Sequence, residues 1–204
     1  MRRRLGVLTV CPMKIEPRHY NPPTDENEQF AELARCRKSP IHFIASYCWV
    51  FNATDEAWIP FDLWPAQQWA LTQIMAHRLT VILKARQLGF TWLLLAYSLW
   101  LMRFRPAATI GLFSRTETDA GDLLDFRLKG MYERLPAFLQ ADKVVGSNMS
   151  RWELSNGSVA MAFPTTGGRQ YTFSFLLADE ADFQENLASF MRATKPTIDA
   201  GGSM

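Results

Sequence analysis

Thr80-Val81-Ile82-Leu83 runs directly into Lys84-Ala85-Arg86-Gln87-Leu88-Gly89-Phe90-Thr91, and from there into an apolar stretch that ends at Met102. The first four residues, apolar or β-branched, read as a short buried strand. The last stretch predicts a buried helix over residues 91–103, because about 13 apolar residues are too few to span a bilayer. Between them lies a turn that holds one glycine and two cations. A loop that binds phosphate needs converging backbone N–H groups, a helix N-terminus behind them, a cation, and a hydroxyl for magnesium. Against the usual GxxxxGK[ST] pattern, Gly89 and Thr91 fall in place, whereas Phe90 stands at the lysine position and Lys84 at that of the first glycine. Taken alone, the segment reads equally well as an ordinary strand-to-helix turn with two basic residues.

About 90 residues downstream, Phe175-Leu176-Leu177-Ala178-Asp179-Glu180 places two carboxylates at the end of another apolar run. A nucleotide hydrolase needs this pair: Asp179 to hold the magnesium shell and Glu180 to polarise the attacking water. The competing account is an acidic helix start, since Asp and Glu are favoured near helix N-termini. The order of the two segments, each at the carboxyl end of an apolar strand, favours nucleotide binding, because open α/β sheets bind ligands at that edge.

The rest of the chain alternates in the same way. Residues 108–113 and 171–178 read as buried strands, and 117–135 and 185–193 as helices. Ser155-Asn156-Gly157 marks a hairpin between 151–154 and 158–163. Strands alternating with helices predict an α/β fold with a mainly parallel sheet flanked by helices. Upstream, residues 1–28 are rich in proline and charge and read as a flexible arm. Residues 29–78 form a helical lead-in: a helix from Glu28 to Cys36, a second from Ile41 to Phe51 with Ser39 as cap and Pro40 in its first turn, and a third from Ala66 to His77. Residues 79–204 are the core.

Just before that third helix, Phe61-Asp62-Leu63-Trp64-Pro65-Ala66-Gln67 brings an aromatic and an amide together. An amide donates and accepts at once, as an adenine edge requires, and Trp64 beside it can stack on a base. A solvated glutamine at a helix start is the plainer account of Gln67. Composition adds little: 48% hydrophobic and 21% charged residues are ordinary for a globular chain, and a net charge of +2 announces no nucleic-acid binder. Arg103, Arg105, Arg115, Arg127 and Lys129 are the candidates for a local basic face, although arginines on amphipathic helices are usually just solvated. Cys36 and Cys48 flank His42 at equal spacing, but a structural zinc site takes four ligands and the fourth is missing. The three cysteines, Cys11 included, read as reduced thiols of a cytoplasmic protein.

With these motifs in hand, the chain from about Cys36 onward resembles the ATPase domain of large terminase subunits of tailed bacteriophages. The stretch Cys36-Arg37-Lys38-Ser39-Pro40-Ile41-His42-Phe43-Ile44-Ala45-Ser46-Tyr47 looks like that family's helical lead-in, and 61–67 like its adenine-binding motif. Residues 86–91 look like its RQxGKS/T loop and 176–181 like its DEA box. The resemblance implies a P-loop NTPase fold of the ASCE type. It also implies ATP and Mg²⁺ as cofactors, and hydrolysis that drives double-stranded DNA into a procapsid. As partners it implies a portal protein, a small terminase subunit and further copies of the chain in a ring. The setting it implies is the host cytoplasm, transiently at the procapsid portal.

By resemblance, nucleotide contacts fall to Trp64, Gln67 and the loop Lys84, Ala85, Arg86, Gln87, Leu88, Gly89, Phe90 and Thr91. Magnesium falls to Thr91 and Asp179, and catalysis to Glu180, Arg86 and Arg169. Lys84 is the candidate phosphate lysine and Arg86 the arginine that senses nucleotide in its own subunit; the reverse assignment stays open. Terminases carry an arginine about 11 residues before the catalytic glutamate, which here is Arg169, an expected finger toward the next subunit. They also continue past the DEA box into a coupling strand and a nuclease domain, so the expectation is a core whose C-terminal part is missing and which carries no nuclease. A helicase-like or remodelling P-loop ATPase, and an inactive nucleotide-binding module, are the alternatives.

Overall fold

The computed structural model describes residues 21–140, 142–164, 167, 170–181, 190–192 and 202–204. The first helix, α1 (Glu26–Lys38), starts two residues before the expected Glu28, within the expected arm. It starts there because the Asp25 carboxylate accepts the N–H groups of Asn27 and Glu28 at 2.9 and 3.1 Å. Acidic residues fill its first turn and basic ones its last, complementing the helix dipole. Ser39 caps α2 (Pro40–Tyr47) as expected, its hydroxyl accepting from the His42 N–H.

The expected extension of this helix to Phe51 does not occur. Trp49–Asn52 is a strand, β1, paired antiparallel with β2 (Ala57–Pro60). Phe51 opposes Trp58 and Val50 opposes Ile59, and such aromatic and β-branched cross-strand pairs favour a ladder over another helical turn. Pro65 opens α3 (Pro65–Ala76), and α4 (Phe90–Phe104) is buried along nearly its whole length. Leu93, Leu95, Ala96, Leu99 and Met102 have no exposed surface, so no amphipathic stripe exists and the helix is enclosed on all sides.

The main sheet adds β3 (Thr109–Ser114), β4 (Val144–Ser147), β5 (Arg151–Leu154), β6 (Val159–Pro164) and β7 (Phe175–Ala178). Their spatial order is β4-β5-β6-β3-β7. The expected mainly parallel sheet is instead mixed: β3 runs parallel to β6 and β7, while β5 is antiparallel to β6 and to β4. The Ser155-Asn156-Gly157 turn is the cause. Gly157 at φ 82° turns the chain straight back on itself, so no crossover helix intervenes.

The helix expected over 117–135 is continuous but not uniform. It comprises α5 (Glu117–Asp122), a π-helical stretch Leu123–Lys129, and α6 (Gly130–Glu133). Gly130 faces Trp58, whose ring is hemmed in by Phe51, Phe126, Trp92 and, at 3.9 Å, the Arg134 guanidinium. A Cβ on Gly130 would lie 2.6 Å from two atoms of that indole. Gly130→Ala should therefore destabilise the protein by about 1–3 kcal/mol through overpacking. Thermal unfolding measures this, and an unchanged midpoint would show that the indole can move aside.

Residues 80–83 do not join the sheet as the expected strand. Only their start is laddered: the Thr80 N–H donates to the Met204 carbonyl at 2.9 Å and the Met204 N–H to the Arg78 carbonyl at 2.8 Å. Ser203, on the other side, bridges Phe175 of β7 in parallel. Ser203 and Met204 thus lie between β7 and residues 78–80, Ser203 bonded to the former and Met204 to the latter. Beyond this point Ile82 packs against the core while Val81 and Leu83 are 85% and 93% exposed, and among the described residues no ladder partner holds the stretch in the sheet. Of the helix expected over 185–193, residues 190–192 are helical, and the remainder lies outside the described residues, as does most of the N-terminal arm.

Candidate functional site

The two motifs that the sequence places far apart meet at the carboxyl edge of the sheet. The Thr91 hydroxyl lies 3.2 Å from both carboxylate oxygens of Asp179. Each residue is delivered by regular structure: Thr91 by the first turn of α4, and Asp179 by the residue just after β7. The Asp179 N–H donates to the Phe113 carbonyl, which carries the β3–β7 ladder one step past the strand and fixes the carboxylate. Glu180 follows, exposed, with φ at +50°. A non-glycine residue in the left-handed region stores about 1–3 kcal/mol of strain, and such residues cluster at functional sites.

The loop itself is shaped by two left-handed residues, Gln87 (φ 62°) and Gly89 (φ 68°). Gly89 is the N-cap of α4, and glycine is required there twice over. Its conformation disfavours a side chain, and a Cβ would lie 2.9 Å from Gln67 Nε2. With no capping side chain, the first N–H groups of a 15-residue helix are left open toward the loop. Lys84, Ala85, Arg86 and Gln87 are exposed, and among the described residues Lys84 and Arg86 make no hydrogen bond or ion pair. Two cations without a partner among the described residues and an uncapped helix N-terminus are the chemistry that an anion would need at this edge.

Phe90 is different. Its side chain is 9% exposed and belongs to the main hydrophobic core, so only its backbone N–H faces the loop's business. The residue at the usual lysine position is a core anchor for α4. Leu88, also partly buried, packs against the same core.

Gln67 is 4% exposed, which the plain account of a solvated helix-start residue did not anticipate. Its Oε1 accepts the Trp64 N–H at 2.9 Å, and its Nε2 donates to the Leu88 carbonyl at 2.9 Å. The amide donates and accepts at once, but toward the protein's own backbone. It clamps the start of α3 to the loop and leaves one N–H and one lone pair for any base. Trp64, next to the clamp, keeps 57% of its surface exposed.

Arg169 lies outside the described residues. Of the five candidates for a basic face, four are engaged within the protein. Arg103 pairs with Asp142 at 3.2 Å, Lys129 with Asp125 at 2.6 Å and Arg115 with Asp119 at 3.8 Å, and Arg127 lies over the Trp92 ring. Among the described residues, no helix is long and apolar enough to cross a membrane.

No protein-family model matches the chain. In three dimensions it is similar to the crystal structure of the HK97 bacteriophage large terminase, with a TM-score of 0.62 at 15% sequence identity. The match covers 78% of this chain and 35% of that one, so the chain spans about a third of that protein's length. What the two share is the fold: this chain has the α/β architecture of a bacteriophage large terminase, a five-stranded mixed sheet flanked by helices.

Proposed function

We propose that this chain is the ATP-hydrolysing motor part of a terminase-type DNA packaging machine, with a P-loop NTPase core of the ASCE type. The observation that carries the reading is the Thr91–Asp179 contact, which joins a helix N-terminus and a strand-end carboxylate 88 residues apart. An acidic helix start and an unrelated basic turn would have no reason to meet. In this reading Thr91 and Asp179 hold Mg²⁺, Lys84 and Arg86 neutralise the phosphates together with the loop N–H groups, and Trp64 packs on the base. Mg²⁺·ATP, when bound, supplies the phosphoanhydride and the charge that neutralises its oxygens. Glu180 orients and deprotonates the attacking water, and its exposed, strained position leaves it free to do so. Arg169 serves as a finger toward a neighbouring copy in a ring, with double-stranded DNA, a portal protein and a small recognition subunit as the assembly's partners. The setting is the host cytoplasm and the procapsid portal.

Thermal unfolding with and without ATP·Mg²⁺, followed by ATPase assays with double- and single-stranded DNA, tests the reading. The expected result is a rise in midpoint and slow turnover, since positioning dominates phosphoryl transfer and no neighbouring copy is held in place. A shift without turnover would favour an inactive nucleotide-binding module, absence of any shift would sink nucleotide binding altogether, and stimulation by single strands would favour a helicase-like enzyme. Thr91→Val, which keeps the shape and removes the hydroxyl, should abolish the magnesium-dependent part of the shift. An undiminished magnesium effect in that variant would remove Thr91 from the site.

A further inference from the structure

Far from this edge, at the corner between α1 and α2, three side chains of metal-binding type converge. Glu32 and Cys36 stand one turn apart on the same face of α1. The Ser39-Pro40 corner then turns α2 back so that His42 meets them. One Glu32 oxygen, the Cys36 sulfur and a His42 ring nitrogen all lie within 4.8 Å of one another. The sequence pattern suggested Cys48 beside Cys36 and His42; Cys48 is buried but is not one of the three, and Glu32 takes its place.

The corner is organised around a single oxygen. Glu32 Oε2 is engaged by Arg35 at 3.1 Å, which leaves Oε1 facing His42 Nε2 at 2.5 Å, the Tyr47 hydroxyl at 3.1 Å and the Cys36 thiol at 3.9 Å. His42 Nδ1 lies 3.5 Å from the Ser46 hydroxyl. A proton held at Nδ1 by that partner leaves the Nε2 lone pair pointing into the cluster, which is how metal-bound imidazoles are oriented. Glu32 and Cys36 are 1% and 0% exposed, while the His42 side chain keeps 29%, so one side remains open to water. In the absence of an ion, burial and then the Glu32 carboxylate beside it together push the Cys36 thiol up to about 12. A bound divalent cation reverses that balance, because a coordinating thiol is deprotonated outright.

We propose that Glu32 Oε1, Cys36 Sγ and His42 Nε2 form a binding site for a zinc-class divalent cation, with water from the His42 side completing the tetrahedron. Mixed O, S and N donors suit zinc among the common divalent ions. With metal–ligand bonds of about 2.0–2.3 Å, neighbouring ligand atoms stand about 3.3–3.8 Å apart. The Glu32–His42 separation therefore opens by under about 1 Å on binding, a movement within reach of the partly exposed His42 ring. The ion would pin α1 to α2 at a corner whose Cys36 carbonyl also accepts the Trp100 indole N–H from α4, at 2.8 Å. With three protein ligands and a water the site is of the open type, and it is independent of the nucleotide reading.

The experiment uses the full chain purified without chelator and dialysed against zinc, with bound metal measured by mass spectrometry. The expected result is about one zinc per chain, and a thiolate-to-cobalt charge-transfer band in the near ultraviolet after exchange with Co²⁺. Both signals should be lost in His42→Gln, which sits on the open side and perturbs folding least, and in Cys36→Ser if that variant folds. Metal at background level in the folded wild type, or a cobalt band that persists in His42→Gln, would overturn the proposal. The corner would then be a hydrogen-bonded staple built on Glu32.

Discussion

Glu180→Gln is expected to lower ATP turnover by about 10²- to 10⁴-fold, the usual worth of a positioned general base, while leaving ATP·Mg²⁺ affinity within about twofold. The amide preserves shape and the left-handed backbone but cannot take a proton from water. Glu180 is exposed and makes no contribution to the core, so the variant should fold as the wild type does. Because turnover by the separate chain is expected to be slow, single-turnover assays with protein in excess over labelled ATP are the appropriate measurement. Asp179→Asn should behave differently. Asp179 faces Thr91 at 3.2 Å, so the loss of its charge should weaken the magnesium-dependent part of binding before it alters chemistry. Normal hydrolysis in both variants would reduce Asp179 and Glu180 to an acidic helix start.

Lys84→Ala and Phe90→Ala should separate cleanly although both residues belong to one loop. Lys84 is exposed and unpaired among the described residues, so its removal should leave stability nearly unchanged. ATP affinity should fall by about 10- to 100-fold, since hydrogen bonds to charged groups contribute about 1.5–3 kcal/mol. Phe90 is a core residue, and its truncation should cost about 3–5 kcal/mol of stability without a specific loss of affinity in the molecules that remain folded. The same burial argues against Phe90→Lys as a way to rebuild a standard loop, because the ammonium would be placed where a buried ring now packs. Isothermal titration with ATP·Mg²⁺, paired with thermal unfolding, reads both quantities. Equal affinity in the wild type and folded Lys84→Ala would pass the phosphate-lysine role to Arg86.

The elements legible in the sequence are those set by local chemistry. Ser39 starts a helix because its side chain satisfies an open N–H group, and Ser155-Asn156-Gly157 reverses the chain because glycine accepts a positive φ. The apolar run after Gly89 could only become an enclosed helix. The pairing of Thr91 with Asp179 was legible as an order of motifs along the chain, but not as a distance.

What only the tertiary structure decided is where partners come from. The β1–β2 hairpin replaces an expected helical end because Phe51 and Val50 find Trp58 and Ile59 opposite them. Residues 80–83 have the composition of a buried strand yet stay outside the sheet beyond Thr80, because strand formation requires neighbours that composition does not supply. Gln67 reads as a free amide in the sequence, but in the fold both of its ends are bound to backbone. Glu32 drew no notice in the sequence as a possible ligand, since only folding α1 against α2 brings its oxygen to Cys36 and His42. Caps, turns and apolar periodicity act over a few residues and can be read from them. Hydrogen bonds and charges spanning tens of residues depend on a geometry that exists only once the chain has folded.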